Sequence, residues 1–180
     1  MQGASPADQG GRDLPCFASG TLITTPRGEI AVEALRPGDR LLTRDGGLQE
    51  LRHVEARPLS RQTLVGQPDN RPVMIRAGAL GRALPEQDLC VGMGQGVFVS
   101  GDIAFSLVAR RVALVSARRL LDLEGVHRVD AIQTDLHTVH FDTHELIIAN
   151  GIWCESAAPS EPRFAGWGSD SERTILPRFD

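Results

Sequence analysis

The sequence contains no lysine and no tyrosine, and all 19 of its basic residues are arginine. The absence of lysine excludes Schiff-base chemistry on a lysine side chain and the phosphate-binding lysine of a P-loop. A basic excess is also lacking, because the net charge is −4. Since phosphate binding depends on a basic face, this charge balance argues against nucleic acid as a partner.

Cysteine is scarce, and long hydrophobic runs are missing. Cys16, Cys90 and Cys154 are an odd number and stand far apart, which excludes a disulfide framework and a CxxC metal clip. No apolar run approaches the roughly 20 residues of a membrane span, and the first residues lack a signal-peptide pattern. The sequence therefore predicts no membrane partner and, by default, a cytoplasmic protein; it gives no indication of oligomeric state.

Length and composition predict one folded unit. The 180 residues fit a single domain, and a hydrophobic content of 41% suffices for a packed core. Residues 1–15 are polar and Gly-rich, which predicts a flexible leader. Residues 16–156 carry the strand-like patterns, and we expect residues 157–180 to form a surface extension.

Closely spaced turn signals predict an all-β fold. Segments too short for helices alternate with turn sequences such as Thr25-Pro26-Arg27-Gly28 and Arg36-Pro37-Gly38-Asp39. Residues 48–59 are compatible with one long strand or with a helix. Asn150-Gly151 between apolar residues predicts a hairpin, and one short helix is expected near residues 116–124.

Cys16 is the first candidate for chemistry, because it lies where the leader meets the first predicted strand. A thiol at this position can attack the preceding carbonyl to give a thioester and a free amine. The alternative is that Cys16 is a small buried hydrophobic residue, as most free cysteines are.

A late group of polar residues is the second candidate. Alternation along a strand would place His140, Asp142 and His144 on one face, with His137 on the other. Such a face suits acid–base catalysis or a metal site. Because no further ligand follows at metal spacing, we expect neither a bound metal nor any other cofactor.

Three stretches of the sequence resemble Hedgehog/intein (Hint) domains, and in particular their bacterial subgroup. The first is CFASGTLITTPRGEIAVEALRPGDRLLTRDGGLQELRHV, with Cys-Phe, Gly-Thr, Val-Glu-x-Leu, Pro-Gly-Asp and Thr-x-Asp-Gly in order. The others are RPVMIRAGALGRALPEQDLCV and HFDTHELIIANGIWCES. The resemblance implies an all-β, horseshoe-shaped fold of short antiparallel strands with pseudo-twofold symmetry, whose ends meet at one active site.

The resemblance also implies autoprocessing, in which the Cys16 thiol attacks the Pro15 carbonyl. The chain's own leader would be the substrate, and water or a thiol would resolve the thioester. His144 matches the family's late histidine. His140 and Asp142 lie near the position of the family's late acidic residue. Full splicing is not expected, because Ile152–Glu155 replaces the family's terminal His-Asn.

The sequence departs from the family at its middle motif, Thr-x-x-His. Alignment puts Gly92 and Gln95 at those two places, and glutamine cannot transfer a proton near neutral pH. Pro15 is also a constrained residue next to the nucleophile. Two hypotheses therefore stand: an autoprocessing domain that cleaves before Cys16, and a degenerate Hint domain that binds or scaffolds without chemistry.

These hypotheses make two structural predictions. Cys16 should lie near the segment Gly92–Gln95 and near His144. If only the middle motif has decayed, the double substitution Gln95→His and Gly92→Thr should restore cleavage, since one positioned proton donor contributes about 10²–10⁴-fold in rate.

Overall fold

A computed structural model describes residues 14–60, 64, 71–130 and 133–157. These residues form mainly short β-strands, with an α-helix at residues 101–108 and 3-10 turns, and every pairing between the named strands is antiparallel. The strands are β1 (Phe17–Ala18), β2 (Leu22–Thr25), β3 (Gly28–Ala31), β4 (Arg40–Thr43), β5 (Gly47–Glu50), β6 (His53–Leu59), β7 (Val73–Ile75), β8 (Leu89–Val91), β9 (Gly96–Ser100), β10 (Val112–Ser116), β11 (Val126–Arg128), β12 (Thr134–His140), β13 (Leu146–Ala149) and β14 (Ile152–Glu155). The helix, α1, spans Gly101–Val108, and the 3-10 turns span Val32–Ala34 and Ala117–Leu120. The predicted all-β architecture with one short helix is confirmed.

The strands form two sheets with long-range connections. The six-stranded sheet has the order β11-β7-β8-β1-β12-β6. The eight-stranded sheet includes β10-β9-β14-β13-β2-β3, and β4 pairs with both β13 and β5. The two-residue strand β1 lies between β8 and β12, which are far from it in sequence. The start of the folded unit is thereby held between the middle and the end of the chain.

Alternation along β1 directs its side chains to two different hydrophobic clusters. Phe17 is fully buried in the larger cluster, which is the main core of the protein. Cys16 and Ala18 point to the other face of the sheet, where they pack with Cys90 and Leu136 in a smaller cluster. The candidate nucleophile therefore lies outside the main core.

The Asn150-Gly151 hairpin is present and is also a structural anchor. It joins β13 to β14, with φ angles of +45° at Asn150 and +84° at Gly151, as a two-residue hairpin turn requires. The buried Asn150 side chain accepts a hydrogen bond from Leu22 N–H (2.8 Å) and donates one to the Asp88 carbonyl (3.0 Å). Asn150 thus links the hairpin to two distant segments.

The predicted position of the helix is wrong. The α-helix spans Gly101–Val108, whereas only a 3-10 turn, Ala117–Leu120, forms within residues 116–124. In that turn Ala117 and Leu120 are buried at a spacing of three, which one 3-10 turn satisfies. The sequence of α1, GDIAFSLV, is mostly apolar, and an apolar run of this length fits a helix or a strand, so packing decides between them.

Other predictions from the sequence agree with the structure only in part or fall outside the described residues. Residues 48–59 are neither one strand nor a helix, because β5 and β6 are separated at Leu51 and Arg52. Residues 1–13 of the predicted leader and residues 158–180 of the predicted extension lie outside the described residues. In the described part of the chain, no helix combines the length and the apolar character that a membrane span requires.

Candidate functional site

Cys16 lies one residue before β1 and in contact with a glycine. The Gly92 N–H donates a hydrogen bond to the Cys16 carbonyl at 3.0 Å, which extends the pairing of β1 with β8. A Cβ atom added at Gly92 would stand 2.5 Å from Cys16 Sγ. Glycine at position 92 therefore makes the space that the thiol occupies.

The environment of the Cys16 thiol opposes its ionisation. The residue is only 4% exposed, and burial raises its pKa to about 11. The positive charge of Arg57 and a hydrogen bond from the Gly92 backbone act in the opposite direction and favour the thiolate. At neutral pH the thiol is protonated, so nucleophilic attack by Cys16 needs a proton acceptor.

A small pocket opens beside Cys16. The residues that line it lie on one face of β6 and β12 or come just before β1 in the chain. They are Leu14, Cys16, Glu55, Arg57, Leu136 and Thr138. Sequence reasoning missed Glu55, Arg57 and Thr138. Their alternation along β6 and β12 is visible in the sequence, but only the register of the three strands brings that face to Cys16.

His140 ends β12 on the same face as Leu136 and Thr138. Its Nε2 atom is buried and has no hydrogen-bond partner among the described residues. Burial, reinforced by the neighbouring His53 imidazole 5.7 Å away, lowers the pKa of His140, while Glu55 raises it. The neutral imidazole is thus available to accept a proton on the face that carries Cys16.

Gln95 has a different environment, although one turn connects it to Gly92 (Gln95 N–H to Gly92 carbonyl, 3.1 Å). The fully buried side chain donates from Nε2 to the Glu155 carbonyl at 2.8 Å and to the Gly96 carbonyl at 3.1 Å. Glu155 is buried as well, and its carboxylate binds His144 Nε2 at 2.7 Å. His144 therefore belongs to this buried network, and the Gly92–Gln95 turn connects the network to Cys16.

The expectation that His140, Asp142 and His144 share one strand face is wrong. β12 ends at His140, so the two later residues follow the chain as it bends away. Asp142 is exposed and accepts hydrogen bonds from Arg52 at 2.7 and 2.9 Å. This ion pair lowers the pKa of Asp142, and the carboxylate faces solvent.

The end of β14 returns to the strand that holds Cys16 in place. The N–H of Ala157 donates to the Val139 carbonyl at 2.9 Å, and Ala157 forms a parallel bridge with His140. Phe17 pairs with His137 of the same strand. Both ends of the described folded unit therefore contact β12 within a few residues of each other.

The contact between Gly92 and Cys16 contradicts one proposed substitution. A threonine at position 92 would place its Cβ against the thiol sulfur, so Cys16 would have to move. The double substitution that includes Gly92→Thr is therefore the wrong way to restore the middle motif, and Gln95→His alone is the appropriate variant. Within the described ranges, no three His, Cys, Asp or Glu side chains are grouped so that they could hold a metal ion.

Comparison with protein families identifies the fold. The family model described as the Hint domain matches residues 15–161, which is most of the chain. The chain belongs to the Hint domain family. The matched region starts one residue before Cys16. Membership supports a Hint-type autoprocessing domain in general terms, and no curated protein matches the sequence.

Solved structures of inteins share the fold. A variant of the Ssp DnaB mini-intein aligns with a TM-score of 0.52 at 6% sequence identity, over 84% of this chain and 98% of the intein. A splice-inactive variant of the AceL NrdHF class 3 split intein aligns with a TM-score of 0.50 at 10% identity, over 79% and 97% of the two chains. An intein-like domain from Clostridium thermocellum gives 0.46 at 12% identity, over 78% and 97%. At these identities the likeness concerns the fold alone.

Proposed function

We propose that this Hint domain, residues 16–156, cleaves the chain before Cys16 through a thioester. The Cys16 thiol attacks the Pro15 carbonyl carbon, the bond from that carbon to the Cys16 nitrogen breaks, and the nitrogen takes up a proton as the free amine. Water or a thiol then releases the acyl segment that ends at Pro15. The observation that carries this proposal is the buried Cys16 thiol one residue before β1, beside a pocket and a glycine that leaves it room.

His140 and Arg57 are the proposed partners of the nucleophile. The unpaired His140 Nε2 is available as proton acceptor for the thiol, and burial keeps its imidazole neutral. The positive charge of Arg57 stabilises the thiolate as it forms. A proton held by His140 can afterwards pass to the departing amine, so one imidazole serves both steps.

The roles of the other predicted site residues follow from their contacts. Gln95 and His144 are proposed as positioning residues, because the Gln95 amide and the His144 imidazole both hold Glu155. Asp142 is left without a role in the chemistry, since it forms an exposed ion pair with Arg52.

One observation favours the alternative of a folded Hint domain without chemistry. The hydrogens of the Gln95 amide bind the backbone carbonyls of Glu155 and Gly96, so this residue ties strands together. A residue with that role could have replaced a catalytic histidine after activity was lost. In that case, the buried Cys16 is a packing residue with a thiol pKa of about 11.

Intact-mass spectrometry of the full chain distinguishes the two functions. The purified protein is incubated with hydroxylamine, which resolves thioesters, and residues 1–15 are measured as a separate product. We expect cleavage before Cys16 in the wild type and none in Cys16→Ala. Cys154→Ala, which removes a fully buried thiol from the main core rather than from the cluster that holds Cys16, is the matched control and should cleave like the wild type. Cleavage in Cys16→Ala, or none in the wild type, would refute the thioester mechanism.

A further inference from the structure

A serine and a histidine pair on the side of the six-stranded sheet that faces away from Cys16. Ser19 lies in the turn that follows β1, and its Oγ atom is 2.9 Å from Nε2 of His137 on β12. Because Phe17 pairs with His137, alternation along both strands puts Ser19 and His137 on the face opposite Cys16. The pair is therefore separate from the region proposed to cleave the chain.

The two members of this pair differ in their exposure to solvent. His137 is only 4% exposed, whereas Ser19 is exposed. Backbone groups hold the turn in place, because the Ser19 N–H donates to the Asp135 carbonyl at 3.0 Å and the Gly20 N–H donates to the Glu33 carboxylate at 2.8 Å. A reagent can thus reach the hydroxyl, while the imidazole beside it is shielded from water.

The contacts of the pair favour transfer of the hydroxyl proton to the imidazole. The Ser19 hydroxyl has two acceptors in reach, His137 Nε2 at 2.9 Å and the Asp135 carbonyl at 3.5 Å. The shorter distance favours donation to Nε2, which accepts when the imidazole carries its own proton on Nδ1. A hydrogen bond from the Gly20 N–H is the main cause that lowers the pKa of Glu33, and the positive charge of His137 acts in the same direction. Because that attraction is mutual, the Glu33 carboxylate favours the imidazolium that forms when His137 takes up a proton.

We propose that Ser19 is a second nucleophile of this domain, that His137 is its general base, and that Ser19 accepts an acyl group from small activated esters. A hydroxyl within hydrogen-bond reach of an imidazole, with a carboxylate near that imidazole, is the arrangement that activates a serine. The reaction uses neither Cys16 nor the Pro15 carbonyl, so it can be tested whether or not the chain cleaves itself.

The acyl transfer is balanced with 4-nitrophenyl acetate as the probe. Ser19 Oγ forms a bond to the acetyl carbonyl carbon, and the bond from that carbon to the phenol oxygen breaks. The electron pair leaves with the nitrophenolate. The hydroxyl proton passes to His137 Nε2 and from there to the buffer, which leaves an acetyl ester on Ser19.

A second exposed serine of the same chain is the internal control. Ser106 on α1 donates from its Oγ atom to the Ile103 carbonyl at 2.9 Å. The full chain is incubated with the probe at neutral pH, and acetylation of each serine is followed by peptide mapping, with fragment spectra that distinguish Ser19 from Cys16. We expect Ser19 to react at least about 10²-fold faster than Ser106, the lower end of what a positioned base contributes. Equal rates at Ser19 and Ser106 would overturn the proposal.

His137→Gln distinguishes a base from a residue that only holds the turn. The glutamine amide can hydrogen-bond the Ser19 hydroxyl, but it cannot take up a proton near neutral pH. We expect acetylation of Ser19 to fall to the rate of Ser106, with folding checked by thermal unfolding because His137 is buried. A folded His137→Gln variant that keeps the wild-type rate would refute the role of His137.

Ser19→Cys tests the same pair without changing a buried side chain. The thiolate is the reactive form of cysteine, and a neighbouring histidine lowers the pKa of a thiol, by a unit or more in reactive cysteines. At neutral pH, iodoacetamide should therefore alkylate Ser19→Cys about tenfold faster than the matched variant Ser106→Cys. Alkylation of Ser19→Cys that is no faster than that of Ser106→Cys would contradict activation by His137.

Discussion

The two ends of the Gly92–Gln95 turn enter polar regions that differ in access to solvent and in what their side chains bind. At the Gly92 end, a pocket open to solvent lies beside the buried thiol of Cys16, and His140 Nε2 on the same face of the sheet has no hydrogen-bond partner among the described residues. At the Gln95 end, hydrogen bonds join Gln95, Glu155 and His144 in a buried network, in which Gln95 Oε1 alone lacks a partner among the described residues. An unbonded imidazole near a pocket is typical of chemistry, whereas side chains that bind backbone carbonyls and one another are typical of a structural link.

This difference gives Gly92 and Gln95 separate physical roles. Gly92 is required by the position of the Cys16 thiol, and Gln95 holds β14 through the Glu155 carbonyl. Gly92 therefore accommodates the Cys16 thiol, and Gln95 links β14 to the turn. Substitutions at each end of the turn test this contrast.

Gln95→His should have the largest effect, because it adds a side chain that can transfer protons at a position where Gln95 only donates hydrogen bonds. The imidazole can donate to the Glu155 carbonyl as Gln95 does and can also transfer a proton near neutral pH. We expect cleavage before Cys16 to accelerate by about 10²–10⁴-fold, measured by intact mass. Gln95→Leu, which removes the amide without adding a proton donor, should not accelerate it; equal rates in the two variants would disprove the effect.

Gly92→Thr should slow cleavage before Cys16. The added Cβ displaces the Cys16 thiol, and a misplacement of about 1 Å costs roughly 10²-fold in rate. Hydroxylamine cleavage should therefore fall by about that factor. Thermal unfolding of the same sample serves as the control for folding. An unchanged cleavage rate in a folded Gly92→Thr variant would show that the close contact is unimportant.

The pH dependence of Cys16 alkylation tests how far burial raises the pKa of its thiol. Peptide mapping after brief alkylation should show Cys16 modification rising with pH around a midpoint of about 11 rather than 9.0. Because the folded pKa is raised, the contribution to stability is complete below pH 9 and is lost as the pH rises towards 11. Relative to Cys16→Ala, the wild type should lose about 2–3 kcal/mol of unfolding free energy over that interval.

Glu155→Ala should lower the stability of the protein, because it disrupts the network of Gln95, Glu155 and His144. The substitution removes a buried carboxylate that binds His144 and against which Gly96 packs. We expect a loss of about 2–3 kcal/mol in the free energy of unfolding, measured with urea. Glu50→Ala, at an exposed carboxylate, is the matched control. A Glu155→Ala variant as stable as the wild type would contradict the structural interpretation of this network.

Asp142→Asn should have the smallest effect. The carboxylate is exposed and paired with Arg52 in solvent, where screening leaves ion pairs little net effect. Neither the thermal midpoint nor the cleavage rate should change measurably. A marked loss of cleavage would show that Asp142 takes part in the reaction.

The sequence predicted those parts of the fold that depend on local chemistry. Turn residues such as Pro37-Gly38 and Asn150-Gly151 punctuate the chain at short intervals, and this pattern is sufficient to predict antiparallel β-structure. The same local approach failed for Gly101–Val108, since an apolar run with weak periodicity fits a helix or a strand and packing decides between them.

Sequence reasoning could propose only Cys16 and the late histidines as members of the candidate site. Cys16 is marked by its place at the boundary of the folded unit, and His140 and His144 by their spacing. That Arg57 and Glu55 face the thiol, while His144 binds Glu155, follows from the register of β1, β12 and β6 and from the return of β14. The sequence alone determined the class of fold and singled out Cys16 as the candidate nucleophile, because turns and residue types act locally. Only the tertiary structure decided which residues surround that nucleophile, because pairing between distant strands sets which side chains share a face.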